Sequence, residues 1–516
     1  MRAGVGFWRA LDQARARNLR SAGEPPPRAG PDGVTRRRVL AALSVGAAAA
    51  TLPACFRAPP ERVAIVGGGL AGLVALDRLR ARGVEAILYE ARAAVGGRTR
   101  SVRGVFAPDY AFDEGGQLVN SDHEDMIALV RRFGLRLIDR RAAGEKSEIQ
   151  IGPHGRVDER RLAEALRPIA AQITADSDRL DRDYQAVARE IDAFSVTDYL
   201  DRHGLARGDA RAALEATIRT EYGAEPGEAS AIELLFNLPT VDGQRVTRLS
   251  LSDERFLVDG GTGQVAQRLG ALHAGAIRLG KRLASLDLTG PNVRLGFADG
   301  GEARADRVIV ALPASLIREV RIDGPLPQAW RGLIAEATLG RNEKVIAGYD
   351  RTVWRAAMGA SGALWASDGF SEAWDAASCV RDAKSVGALT YFLGGDQVDA
   401  AARSGAADAA ARFSDKARTV LPDLAPPNGR LRRTSWSSDP LSRGAYINFR
   451  PGQLSRFGAL LTLEESGHVR ASQAGPLLFA GEWLSDAWPG YMNGAAQTGR
   501  IAADAAIAAL QERTAA

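Results

Sequence analysis

The chain has 516 residues, 46% of them hydrophobic, which is enough apolar material for a large core. Its formal net charge is +5, but residues 1–55 hold nine arginines against three acids and the rest nets −1, so charge excludes a nucleic-acid or membrane-surface role for the main body. With two cysteines, Cys55 and Cys379, a disulfide framework is excluded as well.

Thr35-Arg36-Arg37-Arg38-Val39-Leu40 opens an alanine-rich apolar stretch that runs to Ala54 and is too short to span a membrane comfortably. The pattern matches a twin-arginine export leader (1–55), with the translocase as a transient partner and the periplasm or cell envelope as destination. That pathway carries proteins already folded. Residues 1–33 form a long preface, and Val34 is a candidate alternative start. Leu52-Pro53-Ala54-Cys55 is similar to a lipobox, which would lipid-anchor the chain at Cys55; ordinary cleavage nearby is the alternative.

The first folded element is a strand, Val63 to Val66, that breaks into Gly67-Gly68-Gly69-Leu70-Ala71-Gly72. A helix with Leu73, Leu76 and Leu79 on one side follows, then a second strand (Val84 to Tyr89) that ends at Glu90. This is a dinucleotide fingerprint in its proper context: Gly67 for the tight turn, Gly69 for approach to a pyrophosphate, Gly72 for helix–strand packing, and Glu90 for a ribose. Ala91-Arg92 leads to a second glycine pair and an arginine, Gly96-Gly97-Arg98, where a guanidinium can neutralise pyrophosphate from the other side.

From these residues the chain resembles the FAD-dependent amine oxidases, a family that includes monoamine, polyamine and L-amino-acid oxidases. The resemblance implies an α/β fold, a Rossmann-type FAD-binding domain (61–120, 250–319 and 431–516) interleaved with an α+β substrate-binding domain (121–249 and 320–430). It further implies that Gly116, Gln117 and Leu118, in Glu114-Gly115-Gly116-Gln117-Leu118-Val119, form a loop behind the flavin. Leu283 would cover the adenine, and Lys344, in Leu339-Gly340-Arg341-Asn342-Glu343-Lys344, would stand near flavin N5 and assist reoxidation. Only five lysines accompany 62 arginines, so a lysine kept at this position favours a role.

Trp436 matches the family tryptophan that lies against the flavin. Ala445 stands where several members carry a flavin-linked cysteine, so FAD should be non-covalent. The closing motif, Phe479-Ala480-Gly481-Glu482 followed by Gly490-Tyr491-Met492-Asn493-Gly494-Ala495, implies that Gly481, Glu482, Gly490 and Met492 contact the cofactor, with Glu482 at the ribityl chain. The last helix, Gly494 to Ala508, would point its N-terminus at the flavin pyrimidine edge. Tyr491 matches one wall of the aromatic cage; the other wall aligns with Leu441, for which Trp488 or Tyr446 could substitute.

None of the five histidines falls in metal-ligand spacing or in a nucleophilic triad. This suits the reaction that the resemblance implies, hydride transfer from an amine or amino acid to FAD, giving an imine, then an aldehyde or oxo acid, with O2 reduced to H2O2. A dehydrogenase that feeds a cytochrome or quinone is one alternative. A carbon–carbon desaturase or porphyrinogen oxidase of the same fold is the other.

Overall fold

The computed structural model describes residues 63–515 except 143–146, 360–361, 380–385 and 466–467, together with residues 14, 15, 17, 18 and 21. The twin arginines, Val34 and Cys55 lie outside the described residues.

Val63–Val66 is apolar and buried at every position, so it needs neighbours on both edges and both faces. It has them: Ala86–Tyr89 pairs in parallel on one side and Arg307–Val310 on the other. The complete sheet runs Ile277–Arg278, Ala86–Tyr89, Val63–Val66, Arg307–Val310, Leu477–Phe479, Gln473–Ala474, drawing its strands from three distant parts of the chain. Leu73, Leu76 and Leu79 of the helix Leu70–Ala81 are fully buried.

The closing helix starts two residues earlier than expected and runs Met492–Ala515, lying along Leu70–Ala81. Gly499 permits that approach, because a Cβ there would sit 2.2 Å from the carbonyl oxygen of Ala71.

The second half of the molecule is built on a seven-stranded sheet in the order Leu431–Arg433, Asn342–Tyr349, Gly387–Gly394, Glu372–Asp375, Ala363–Ala366, Glu148–Gly152, Gly155–Arg156. Helices Glu159–Arg182 and Asp209–Tyr222 belong to this half, the latter packed on Ala363–Ala366 and Gly387–Gly394. Expected domain edges shift where packing overrides texture. Met126, Ile127, Leu129 and Val130 of Glu124–Arg132 join the cofactor-side core, and Leu137–Asp139 pairs with Phe256–Val258, so the substrate half begins after 140 rather than at 121. Arg321–Asp323 joins Leu283–Asp287, and Leu431–Arg433 joins Asn342–Tyr349, moving the two later edges by a strand each.

Candidate active site

One long cavity runs along the carboxyl ends of the parallel strands. It is bordered by Gly67, Gly69, Leu70 and Ala71 from the first turn; Glu90, Ala91, Arg92, Gly97 and Arg98 from the second; then Gly116, Leu283, Gly481, Glu482, Gly490, Tyr491 and Met492. Sixteen residues expected at a dinucleotide thus converge from across the sequence. Gly67 has φ +107°, and a Cβ there would lie 2.4 Å from the Ala311 carbonyl oxygen, so the turn and the neighbouring strand exclude any side chain.

The carboxylate of Glu90 accepts from the backbone N–H of Gly68 and of Arg92, both at 2.6 Å, which fixes it at the end of its strand. Arg92 donates to Asp439 (2.7 Å) and Ser442 (3.0 Å) across the cavity mouth. Arg98 is the better phosphate partner: Nη2 lies 3.0 Å from Glu482 Oε1, while Nη1 is buried without a hydrogen bond. A buried guanidinium nitrogen left unpaired beside a glycine-lined cavity fits an anionic cofactor.

Five expected residues do not border that cavity, and for four of them the reason is physical. Gly72 packs instead, since a Cβ there would be 2.0 Å from the Gly67 carbonyl oxygen. Gln117 turns away, donating to Ala376 O (3.2 Å) and accepting from Trp374 Nε1 (3.0 Å), and Leu118 beside it is also outside the lining. Lys344 and Trp436 act on the loop between. Lys344 Nζ donates to the carbonyls of Asp113 (2.9 Å) and Gly115 (2.8 Å), and Trp436 Nε1 donates to the carbonyl of Glu114 (3.3 Å), so the pair clamps Asp113–Gly115 just ahead of Gly116. Gly116 in turn meets Met492, whose Cγ and Sδ would be 2.9 Å from a Cβ on it.

Lys344 sits in Asn342–Tyr349, where every residue is buried. Burial lowers its ammonium to about 8, opposed by the charges of Asp113 and Glu114. An ammonium has three donors; two are committed to carbonyls, and one is left for other work. Burial also raises the carboxyl of Asp113, whose oxygens accept from Ser101, Thr262 and Ser378.

Leu441 and Tyr446 both border the cavity together with Tyr491, so of the two rings expected to substitute for Leu441 it is Tyr446 that lines the cofactor space. Gly490, the residue before Tyr491, lies against Tyr446, with a Cβ there falling 3.4 Å from Tyr446 Cβ. Trp488 borders the pocket beyond Tyr491 but not the cofactor cavity.

Beyond Tyr491 lies a second pocket, bordered by Asn120, Glu221, Phe236, Leu249, Ser252, Asp486 and Trp488, with no lysine or arginine among the described residues around it. Tyr491 borders both spaces, and its hydroxyl donates to Glu221 Oε2 at 2.8 Å. Burial, then the charge of Glu221, pushes the Tyr491 phenol well up. His123 supports the same ring edge-on at 5.2 Å; it accepts from the Asn120 N–H through Nδ1 (3.1 Å), and burial drops its pKa to about 3, so it is neutral. Glu221 and His123 were missed in the sequence: one is an ordinary acid on a helix, the other a histidine outside any motif.

The chain is 26% identical over 473 residues to a putative flavin-containing monoamine oxidase, AofH, of Mycobacterium tuberculosis, covering 87% of this chain and 96% of the relative. It is 26% identical over 469 residues to the flavin-containing amine oxidase B of Sus scrofa, covering 86% and 85%. Among solved structures it is similar to a putrescine oxidase bound to putrescine (TM-score 0.73, 23% identity, 87% of this chain and 99% of that one). It is equally similar to the cyclohexylamine oxidase of Brevibacterium oxydans (TM-score 0.74, 23% identity, 88% and 100%). The model of the flavin containing amine oxidoreductases matches residues 70–507, and on that match, with the cavity described above, the chain belongs to this family of FAD enzymes that oxidise amines.

Proposed function

We propose that the enzyme is an oxidase of cationic amines lacking a carboxylate, exported by the twin-arginine pathway and using O2 as electron acceptor. The carrying observation is the pocket behind Tyr491, which Glu221 and Asp486 border and which no guanidinium or ammonium borders among the described residues. Such a lining favours an alkylammonium and disfavours an amino-acid carboxylate, which needs a cation to accept it.

FAD, non-covalent because Ala445 offers no nucleophile, would supply the hydride acceptor and the two-electron chemistry with oxygen. The chain's own residues do the rest. Tyr446 and Tyr491 flank the approach and exclude water. Glu221 attracts the ammonium, and Lys344 holds a positive charge beside the loop behind the flavin, where it favours electron transfer to oxygen. In balance, R–CH2–NH2, O2 and water give R–CHO, NH3 and H2O2.

The test is anaerobic mixing of the FAD-loaded enzyme with pooled amines and with pooled amino acids, followed by air. Bleaching of the flavin by amines alone, rapid recovery and one H2O2 per turnover are expected. Bleaching by amino acids would overturn the substrate class, and slow recovery in air would make the enzyme a dehydrogenase. Export is tested by locating the full chain and a twin-lysine variant (Arg36→Lys, Arg37→Lys) in cell fractions, with only the former expected in the envelope.

A further inference from the structure

Residues 14, 15, 17, 18 and 21 precede the arginine motif, in the segment an export leader would discard, yet they are bound to the body of the enzyme. Ala14, Arg15 and Asn18 are buried at 2%, 4% and 2% exposure, whereas Arg17 is exposed. With Ser21 they follow the i, i+1, i+4, i+7 spacing of one helical face, and all the described residues here are helical.

The polar contacts are as specific as the burial. The Asn18 amide uses both ends: Nδ2 donates to Thr174 Oγ1 (2.8 Å) and Pro239 O (2.8 Å), while Oδ1 accepts from the Val241 N–H (2.9 Å). Arg15 donates to Asp181 (2.8 Å) and to Ser177 Oγ (2.8 Å), and Arg167 donates to the Ser21 carbonyl (2.9 Å). Thr174, Ser177 and Asp181 belong to Glu159–Arg182, and Val241 to the strand Thr240–Asp242. Without this segment, the Val241 N–H and the Pro239 carbonyl lose their partner in a buried place.

We propose that the segment carrying Ala14, Arg15, Asn18 and Ser21 is a clasp that remains on the working enzyme and joins Glu159–Arg182 to the hairpin beginning at Thr240–Asp242, instead of leaving with a cleaved leader. The hairpin's far strand, Arg245–Thr247, runs on to Leu249, Leu251 and Ser252, which border the Glu221 pocket, so the clasp braces one wall of that pocket.

The full chain, tagged at its C-terminus and purified from an export-competent host, should contain the peptide 14–21 in equimolar amount when its denatured mass is measured. Asn18→Leu, which fills the space but cannot serve Val241 or Pro239, should lower Tm by about 2–5 °C. Arg17→Ala, on the exposed side, should leave it unchanged. A purified enzyme that begins beyond Cys55 with no bound fragment would overturn the proposal, and so would an Asn18→Leu variant as stable as Arg17→Ala.

Discussion

The cofactor cavity and the pocket behind Tyr491 meet at one ring but are made of different material. The first is built from backbone: turns at Gly67, Gly97, Gly481 and Gly490 bring main chain to the space, and a Cβ at Gly67 would collide with the backbone carbonyl of Ala311. The second is built from side chains on five separated stretches, around Asn120, Glu221, Phe236, Leu249 and Asp486. A site that works through main chain tolerates few residues at each position. A site that works through side chains can be retuned one residue at a time, which is how one family can keep a cofactor and vary its amine.

The comparison breaks first at its backbone side. Gly67→Ala must place a Cβ against Ala311 O in a conformation that side chains avoid, at a cost of order 1–3 kcal/mol for strain alone. Flavin content after purification is expected to fall at least ~10-fold. Full retention of FAD would show that the turn is not a rigid cradle. Next in size is Lys344→Met, which keeps the stem and removes the charge: reoxidation in air should slow roughly 10²-fold while anaerobic reduction changes little. Because burial sets the Lys344 ammonium at about 8, wild-type reoxidation should fall as pH rises through 8, and the Met variant should be flat there. A stopped-flow pH series that gives parallel curves would remove Lys344 from the oxidative step.

This division of material also explains what was legible. Gly67, Glu90, Arg98 and Gly481 announce themselves because backbone approach leaves so few choices, and the parallel sheet follows from fully apolar runs such as Val63–Val66 and Val308–Val310. Domain edges were less legible. Met126 and Val130 read as part of a helical stretch, but their apolar face chose the cofactor side, a tertiary preference no local pattern encodes. For the second cage wall the sequence offered Tyr446 and Trp488 as stand-ins for Leu441 without choosing, because spacing across an irregular segment does not fix which ring reaches the cavity; Tyr446 borders it. Gln117 sits in a cofactor loop, yet Trp374 and Ala376, more than 250 residues away, claim its amide.

On the side-chain side the effects are smaller and selective. Glu221→Gln removes a charge that would pair with the substrate ammonium, worth about 1.5–3 kcal/mol, so KM for amines should rise roughly 10- to 100-fold with kcat less affected. An unchanged KM would place the ammonium elsewhere. The smallest effect belongs to Tyr491→Phe, which keeps the ring between the two spaces and removes only the hydrogen bond to Glu221. That loss is expected to lower kcat/KM by about 2- to 10-fold, in keeping with one net hydrogen bond. Since burial beside Glu221 keeps the phenol protonated throughout the assay range, the effect should not vary with pH. If the hydroxyl acts only by orienting Glu221, Tyr491→Phe should cost nothing further in a Glu221→Ala background. An undiminished cost in the double variant would mean that the hydroxyl meets the substrate itself, and the boundary between the two spaces would then be part of the reacting site rather than its wall.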